Sequence, residues 1–287
     1  MISSMTDRVA IAAIRRLRDG FTENDQDLVA VEAPLELTVR AGTQSRSLGV
    51  LMRTPGDDED LVCGVLYTEQ LIRVRGDIVS IAIQSSPDSG DHIDVTLTEA
   101  TPIETLAVGR AVAGTSACGL CGKLAIDRVD TLGRVTGSND VQWPISLLAD
   151  LPARLRAGQS VFAQTGGLHA AGLVDAEGRL IAIREDVGRH NAVDKLVGAA
   201  LAAGAVPAGR SLIVVSGRVA YEIVQKAVRA GAAGIVAVGA PSSLAVEAAR
   251  ATNLTLVGFA RDGGFNIYAG EARVAVHLSR SAPGSIP

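Results

Sequence analysis

The segment AGTSACGLCGK places Cys118 and Cys121 three residues apart, with Gly114, Gly119 and Gly122 around them and Lys123 directly after. A thiolate is both a nucleophile and a metal ligand, so three chemistries compete. A structural zinc needs about four ligands, and the one other cysteine, Cys63, leaves the set short unless histidines or a second subunit close it. A thioredoxin-like disulfide uses the same C-x-x-C, but there the motif opens a helix within a βαβ unit, whereas glycine on three sides argues for a mobile loop. The third chemistry is a nucleophilic, cargo-carrying thiolate, activated by the backbone N–H groups of a Gly-rich loop and by the Lys123 ammonium. An inert pair is the bland alternative, although exposed thiols among glycines gain nothing from burial. Cys63 lies in EDLVCGVLYTEQL beside Val62, Val65 and Leu66 and reads as core packing.

A second concentration of polar groups is EDVGRHNAVDK, with Glu185, Asp186, Arg189, His190, Asn191, Asp194 and Lys195 at one expected helix start. Helix N-termini bind phosphates, and Arg189 and Lys195 could assist, although helix capping and solvated charge explain such a run as well.

The elements that must position these groups follow from hydrophobic periodicity. Leu35, Leu37 and Val39 alternate, and after GTQS comes a second apolar run from Leu48 to Met52, which predicts a hairpin. Thr54 as N-cap, Pro55 at the first helical position and the acids Asp57, Asp58, Glu59 and Asp60 predict a helix running to about Ile72. Strands are expected at 78–84 and 92–98 and a helix over 144–157. HAAGLVDAEGRLIAIRED reads as two strands joined by a turn, with a helix opening near His190. The remainder alternates: strand 211–215, helix 219–230, strand 234–238, helix 242–251, strand 254–258 and a closing hairpin around 265–277. Such alternation means a layered α/β sheet, with ligands expected at 216–218, 239–243 and 259–266, beyond the strands' carboxyl ends.

The fold class is therefore α/β: a small α+β N-terminal domain (1–108), a Gly-rich C-x-x-C loop and connection (109–143), and a layered domain (144–287). The length of 287 residues agrees with about two domains. Hydrophobic residues at 47%, charged residues at 20% and a net charge of -4 describe an ordinary soluble globular chain. The acidic balance and the scarcity of aromatics (Phe 4, Tyr 3, Trp 1) exclude a general nucleic-acid role. No apolar run approaches the ~20 residues of a membrane helix. Three cysteines without an export signal point to the cytoplasm.

The order of hairpin, helix, strand and helix in the second domain resembles the cytidine deaminase fold, a three-layer α/β/α sandwich. There H-x-E opens the first helix and P-C-x-x-C the second. Here His190-Asn191-Ala192 keeps the His but puts Ala where the catalytic Glu would act, and Ser216-Gly217-Arg218 has no cysteine. No metal of the protein's own is expected.

Taken together, TSACGLCGK, TGGLHAAG, REDVGRHNAVDKL, SGRVAYEIVQKA, GAPSSLAVEAA and GFARDGGFNIY resemble the FdhD family, the formate dehydrogenase accessory sulfurtransferases, over roughly residues 28 to 270. The resemblance implies a cytoplasmic homodimeric sulfur carrier. A cysteine desulfurase would load a persulfide onto the loop, and sulfur would pass to the Mo-bis(molybdopterin guanine dinucleotide) cofactor destined for apo formate dehydrogenase. It assigns the persulfide to Cys118, leaving Cys121 as resolving or relay thiol. It carries cofactor binding onto Phe259, Ala260, Arg261, Asp262, Gly263 and Gly264, where Phe259 offers a stacking face, Arg261 a charge for phosphate and the glycines close backbone approach. A bare turn into the last hairpin would also explain that stretch. The strand ends put Arg218 on the same rim, and His190 is expected on the helix start that forms another wall of the site. The rival reading is a non-enzymatic cofactor chaperone, or a zinc-bridged dimer, with a structural C-x-x-C.

Overall fold

The computed structural model describes residues 2–4, 7–86, 90–99, 101, 103, 135, 141–261 and 263–275. The cysteine loop with Cys118 and Cys121, and Asp262, lie outside the described residues.

The first half opens with strands β1 (Ile2–Ser4), β2 (Val9–Arg18) and β3 (Phe21–Ala30), which form an antiparallel three-stranded sheet. The long β2–β3 hairpin was not legible in the sequence, because the second strand is polar without a break from Thr22 to Asp27 and shows no buried face. Next come β4 (Ala33–Ala41), β5 (Gln44–Arg53), helix α1 (Asp58–Thr68), β6 (Ile78–Ser86) and β7 (Gly90–Leu97). The four strands make a mixed sheet in the order β5-β4-β7-β6, with β4 and β7 parallel. Leu35, Leu37 and Val39 on β4 and Ile93, Val95 and Leu97 on β7 face α1, which buries Leu61, Val62, Val65 and Leu66 against them.

Helix α1 corrects the expected start. Asp57, in the left-handed region at φ 55, is the N-cap, and the helix stops at Thr68 rather than Ile72. Tertiary contacts claim Thr54 instead. Its N–H donates to Asp186 Oδ2 at 3.1 Å, its hydroxyl accepts from the Val187 N–H at 3.2 Å, and its carbonyl accepts from Lys195 Nζ at 2.8 Å.

In the second half β8 (Trp143–Pro144) leads into α2 (Ile145–Ala157) and the short α3 (Ser160–Thr165). Then follow β9 (His169–Val174), β10 (Leu180–Asp186), α4 (Arg189–Ala202), β11 (Leu212–Val215), α5 (Tyr221–Arg229), β12 (Gly234–Ala237), α6 (Ser243–Ala251), β13 (Thr255–Arg261), β14 (Gly264–Ala269) and β15 (Val274–Ala275). The six-stranded sheet runs β10-β9-β11-β12-β13-β14, parallel across β11, β12 and β13 and antiparallel elsewhere. Alternation sorts its side chains between two helical layers. Ala171, Leu173, Ile213, Val215, Ile235, Ala237 and Leu256 pack on α4, α5 and α6. Ala170, Leu212, Val214, Val236, Val257 and Ala260 pack on α2. The result is the α/β/α layering expected of this half.

The expected closing hairpin at 265–277 is displaced. The hairpin is β13 with β14, turning at Gly263 with φ 78, and Val274–Ala275 leaves it to pair in parallel with Trp143–Pro144. Gly263 thus belongs to the turn itself, not to the approach to a later one.

The two halves meet where α1 crosses α4. A side-chain carbon on Gly64 would overlap the Asp194 carbonyl, and one on Gly198 the Asp60 carbonyl, so only glycine lets the backbones approach this closely. Around the crossing, Asn191 Nδ2 donates to the Met52 carbonyl at 2.8 Å, and Arg184 binds Asp60 at 2.7 Å. Among the described residues no helix is long and apolar enough to cross a membrane.

Candidate functional site

The parallel strands β11, β12 and β13 end together, and the turns that follow them are stitched to one another. Gly239 N–H donates to the Gly217 carbonyl at 3.1 Å, Ser242 N–H to Val219 at 2.9 Å, and Phe259 N–H to Gly239 at 3.2 Å. At that end of the sheet, on the α2 side, lies a cavity of about 570 Å³. Its sheet wall is His169, Ser216, Val238, Ala260 and Arg261. Its helical wall comes from Ala149, Pro152, Ala153, Leu155 and Arg156 of α2, and Gln159 and Phe162 close it. The volume suits a nucleotide-sized ligand.

The cavity gathers only part of the expected set. Ala260 and Arg261 line it, with the Arg261 side chain exposed at its mouth. Phe259 does not: its backbone sits at φ 54 in a register shift between Gly258 and Arg261, and the residue is 39% exposed. That shift interrupts the strand's simple alternation. Gly263 lies in the tight turn beyond Arg261, and Gly264 opens β14 paired with Arg261. Arg218 is exposed on the loop after β11, and His190 stands in the first turn of α4; neither lines the cavity.

His169 connects the two regions. It lines the cavity, and Gly217 lies against its Nδ1. Burial and then the positive charges of Arg189 and Arg218 lower its pKa, against the opposing pull of Asp186. His190 is pushed further, down to about 4, by burial first and then by Arg189 and Lys226, with Glu222 opposing and His169 adding to the fall. Both imidazoles are thus neutral near pH 7. Because the native pKa of His190 lies below its ordinary 6.5, the unfolded chain binds its proton more readily. The contribution of neutral His190 is present above about pH 6.5 and fades as pH falls toward 4. His190→Gln is therefore expected to flatten stability against pH in that window in urea unfolding series; an unchanged slope would refute the assignment.

Lys195 and Asp186 are not available to a ligand. Both are fully buried, and Lys195 Nζ lies 2.8 Å from Asp186 Oδ2. Asp186 Oδ1 also accepts from the Gly188 N–H at 2.8 Å and Asn191 Nδ2 at 2.9 Å. The expectation that Lys195 helps bind phosphate is corrected: the charge ties the halves together. Asp194 is likewise committed, 2.8 Å from Lys226 Nζ and 2.9 Å from the Thr68 hydroxyl that donates to it. Glu185 accepts from the N–H groups of Val161 and Phe162 at 3.0 and 2.8 Å, which caps α3 and holds it beside the cavity.

Sequence reasoning missed the α2 side of the cavity. Arg156 lies over the Phe162 ring at 3.8 Å from its centroid. Gln159 is 3% exposed, and its Nε2 has no hydrogen-bond partner among the described residues. RLRAGQSVF carries no motif, so only the folded chain brings these groups to the strand ends. Among the described residues no cluster of three or more His, Cys, Asp or Glu is placed to hold a metal ion.

The chain is 45% identical over 271 residues to the sulfur carrier protein FdhD of Streptomyces avermitilis, covering 92% of this chain and 95% of that one. It is 49% identical over 255 residues to that of Nocardia farcinica, covering 87% and 88%. To that of Sulfolobus acidocaldarius it is 39% identical, covering 91% and 96%. A crystal structure assigned to a formate dehydrogenase accessory protein of Desulfotalea psychrophila superposes with a TM-score of 0.71 at 24% identity, covering 93% of this chain and 99% of that one, and so shares the fold. The FdhD/NarQ family pattern matches residues 30–275, which is most of the chain including its cavity walls. On that match and those identities, the chain belongs to the FdhD/NarQ family.

Proposed function

We propose that the protein is a sulfur carrier for the maturation of formate dehydrogenase, acting in the cytoplasm as a homodimer. The Cys118 thiolate attacks the outer sulfur of a persulfide on a cysteine desulfurase. The donor's S–S bond breaks, its cysteine leaves as a thiolate, and Cys118 keeps the sulfur as a new persulfide. As the resolving thiol, Cys121 attacks the Cys118 sulfur, so that a Cys118–Cys121 disulfide forms, the persulfide S–S bond breaks and the outer sulfur leaves as sulfide for the molybdenum bis-guanine-dinucleotide cofactor, bound as substrate before it reaches the apo enzyme. The names of the relatives support the sulfur chemistry.

The observation that carries the cofactor half of this reading is the cavity at the strand ends, with Arg261 at its mouth and Ala260 in its wall. A guanine nucleotide has the size to enter it and the charge to meet Arg261. The layered half is read as a cytidine deaminase-like scaffold that has lost its metal, with Ala192 where the catalytic Glu would act and Ser216 to Arg218 where the ligating cysteines would stand, and the divisions 1–108, 109–143 and 144–287 are read as the chain's domain plan. Lys195 and Lys226 being consumed in buried pairs with Asp186 and Asp194, Arg261 is the cation assigned to phosphate.

Incubation with a cysteine desulfurase and cysteine, followed by mass spectrometry of the loop peptide, tests the first half: a one-sulfur increment that requires the desulfurase is expected. An unmodified loop with bound zinc would favour the structural C-x-x-C instead. Calorimetry with guanosine diphosphate tests the second half. Arg261→Ala is expected to weaken binding by ~1.5–3 kcal/mol, the range for a charged hydrogen bond, and added salt to weaken it further. Wild-type protein that takes up no nucleotide would refute the cavity's assignment.

A further inference from the structure

The β2–β3 ribbon takes no share in the chemistry described so far. Both strands are ten residues long and, but for its last residue, the ribbon precedes residue 30, where the FdhD/NarQ pattern begins. Its two-residue turn, Asp19–Gly20, has φ 50 and 83, the left-handed pair of a tight hairpin. Only the base is packed: Val9, Leu28 and Ala30, which share one face, meet Val161, Leu168 and Phe162 of the body. β1 pairs with β2 only at Ala10 to Ala12, so among the described residues the strands beyond are paired with nothing but each other. A two-stranded ribbon has no core of its own and is stable only against a second layer. Near the tip, Leu17 at 68% and Phe21 at 79% are the most exposed large apolar side chains described.

The charges say what the second layer is. Residues opposed across an antiparallel pair share a face. The face turned away from the body carries Arg16 and Arg18 on β2 and Glu23, Asp25 and Asp27 on β3, with Ile14 and Phe21 among them. One long side of this face is basic and the other acidic. A partner of a single charge sign is attracted by one strand and repelled by the other, whereas a second copy of the ribbon answers both. Resting on the homodimer reading above, we propose that two copies of the chain associate through this face. Charge also selects the arrangement. A two-fold axis along the ribbon lays β2 of each copy over β3 of the other, with both tips pointing the same way, whereas an axis across it lays arginine on arginine. Arg16 of each copy then faces Glu23 of the other, and the Arg18 guanidinium faces the Phe21 ring. Each contact occurs twice, and the assembly closes at two chains.

Sedimentation velocity on the full-length protein tests this. Wild type is expected to be dimeric at about 50 mM salt and to dissociate as salt rises to about 0.5 M, because exposed pairs are screened. Arg16→Glu sets a carboxylate against Glu23 of the other copy, and Glu23→Arg sets a guanidinium against Arg16, so each variant alone should dimerise at least tenfold more weakly. An equimolar mixture of the two should recover a dimer holding one chain of each kind. Arg16 also lies opposite Glu23 within its own ribbon, and only a contact made between copies is recovered by mixing. If a single variant fails to fold, Arg16→Glu combined with Glu23→Arg takes its place: this chain should dimerise with itself and not with wild type. Single variants that dimerise as tightly as wild type, or a mixture that stays monomeric, overturn the ribbon contact and leave a homodimer joined elsewhere. Wild type that is monomeric at low salt overturns the homodimer reading as well and gives the face to a different protein.

Discussion

Cys118→Ala is expected to abolish persulfide loading and all downstream sulfur transfer. The attacking group is a thiolate, alanine offers no nucleophile, and the resemblance of TSACGLCGK to its family assigns the cargo to the first cysteine. Cys121→Ala should retain some loading while slowing release, because a second thiol helps the sulfur leave without having to receive it. Mass spectrometry of the loop peptide separates the two, and loading that survives Cys118→Ala but vanishes in Cys121→Ala would exchange their roles. Cys63→Ala is the control. Cys63 is buried in α1, and burial raises its thiol pKa, so it should load nothing and cost only about 1 kcal/mol of stability as a small core truncation.

Lys195→Met should destabilise the fold by ~3–5 kcal/mol, the loss typical when one partner of a buried ion pair is removed. Methionine fills the space but leaves the Asp186 carboxylate and the Thr54 carbonyl without their shared cation. Urea unfolding measures it. Asp186→Asn combined with Lys195→Met should cost less than the two changes summed, since the pair fails as a unit. A single-variant loss below about 1 kcal/mol would mean the pair contributes little to joining the halves.

The layered half was legible because its strands are short, apolar and punctuated. Helices open at Arg189, Tyr221 and Ser243, close to where the pattern placed them, and Ser242 caps the last by accepting from the Ala245 N–H at 3.3 Å. Elsewhere local chemistry misled. Thr54 has the type and spacing of an N-cap, but Asp186 and Lys195, far away in sequence, claim its groups. Phe259 looked like a stacking face, and a register shift leaves it outside the cavity. Gln159 and Phe162 gave no signal at all, since their value arises from the strand ends they are folded against. The cysteines were legible as chemistry, and their geometry lies outside the described residues.

The seam around Thr54 also sets an order of events during synthesis. Arg53 finds Asp58 at 3.0 Å, and also Asp91, within the first half, so that charge is answered early. The Thr54 carbonyl waits for Lys195, 141 positions later. At about 5–20 residues per second, the ribosome needs roughly 7 to 28 s to deliver that lysine. Throughout that interval the α1 face that will carry the Gly64 crossing stands open, so the nascent first half is a client for whatever shields apolar surface until α4 emerges.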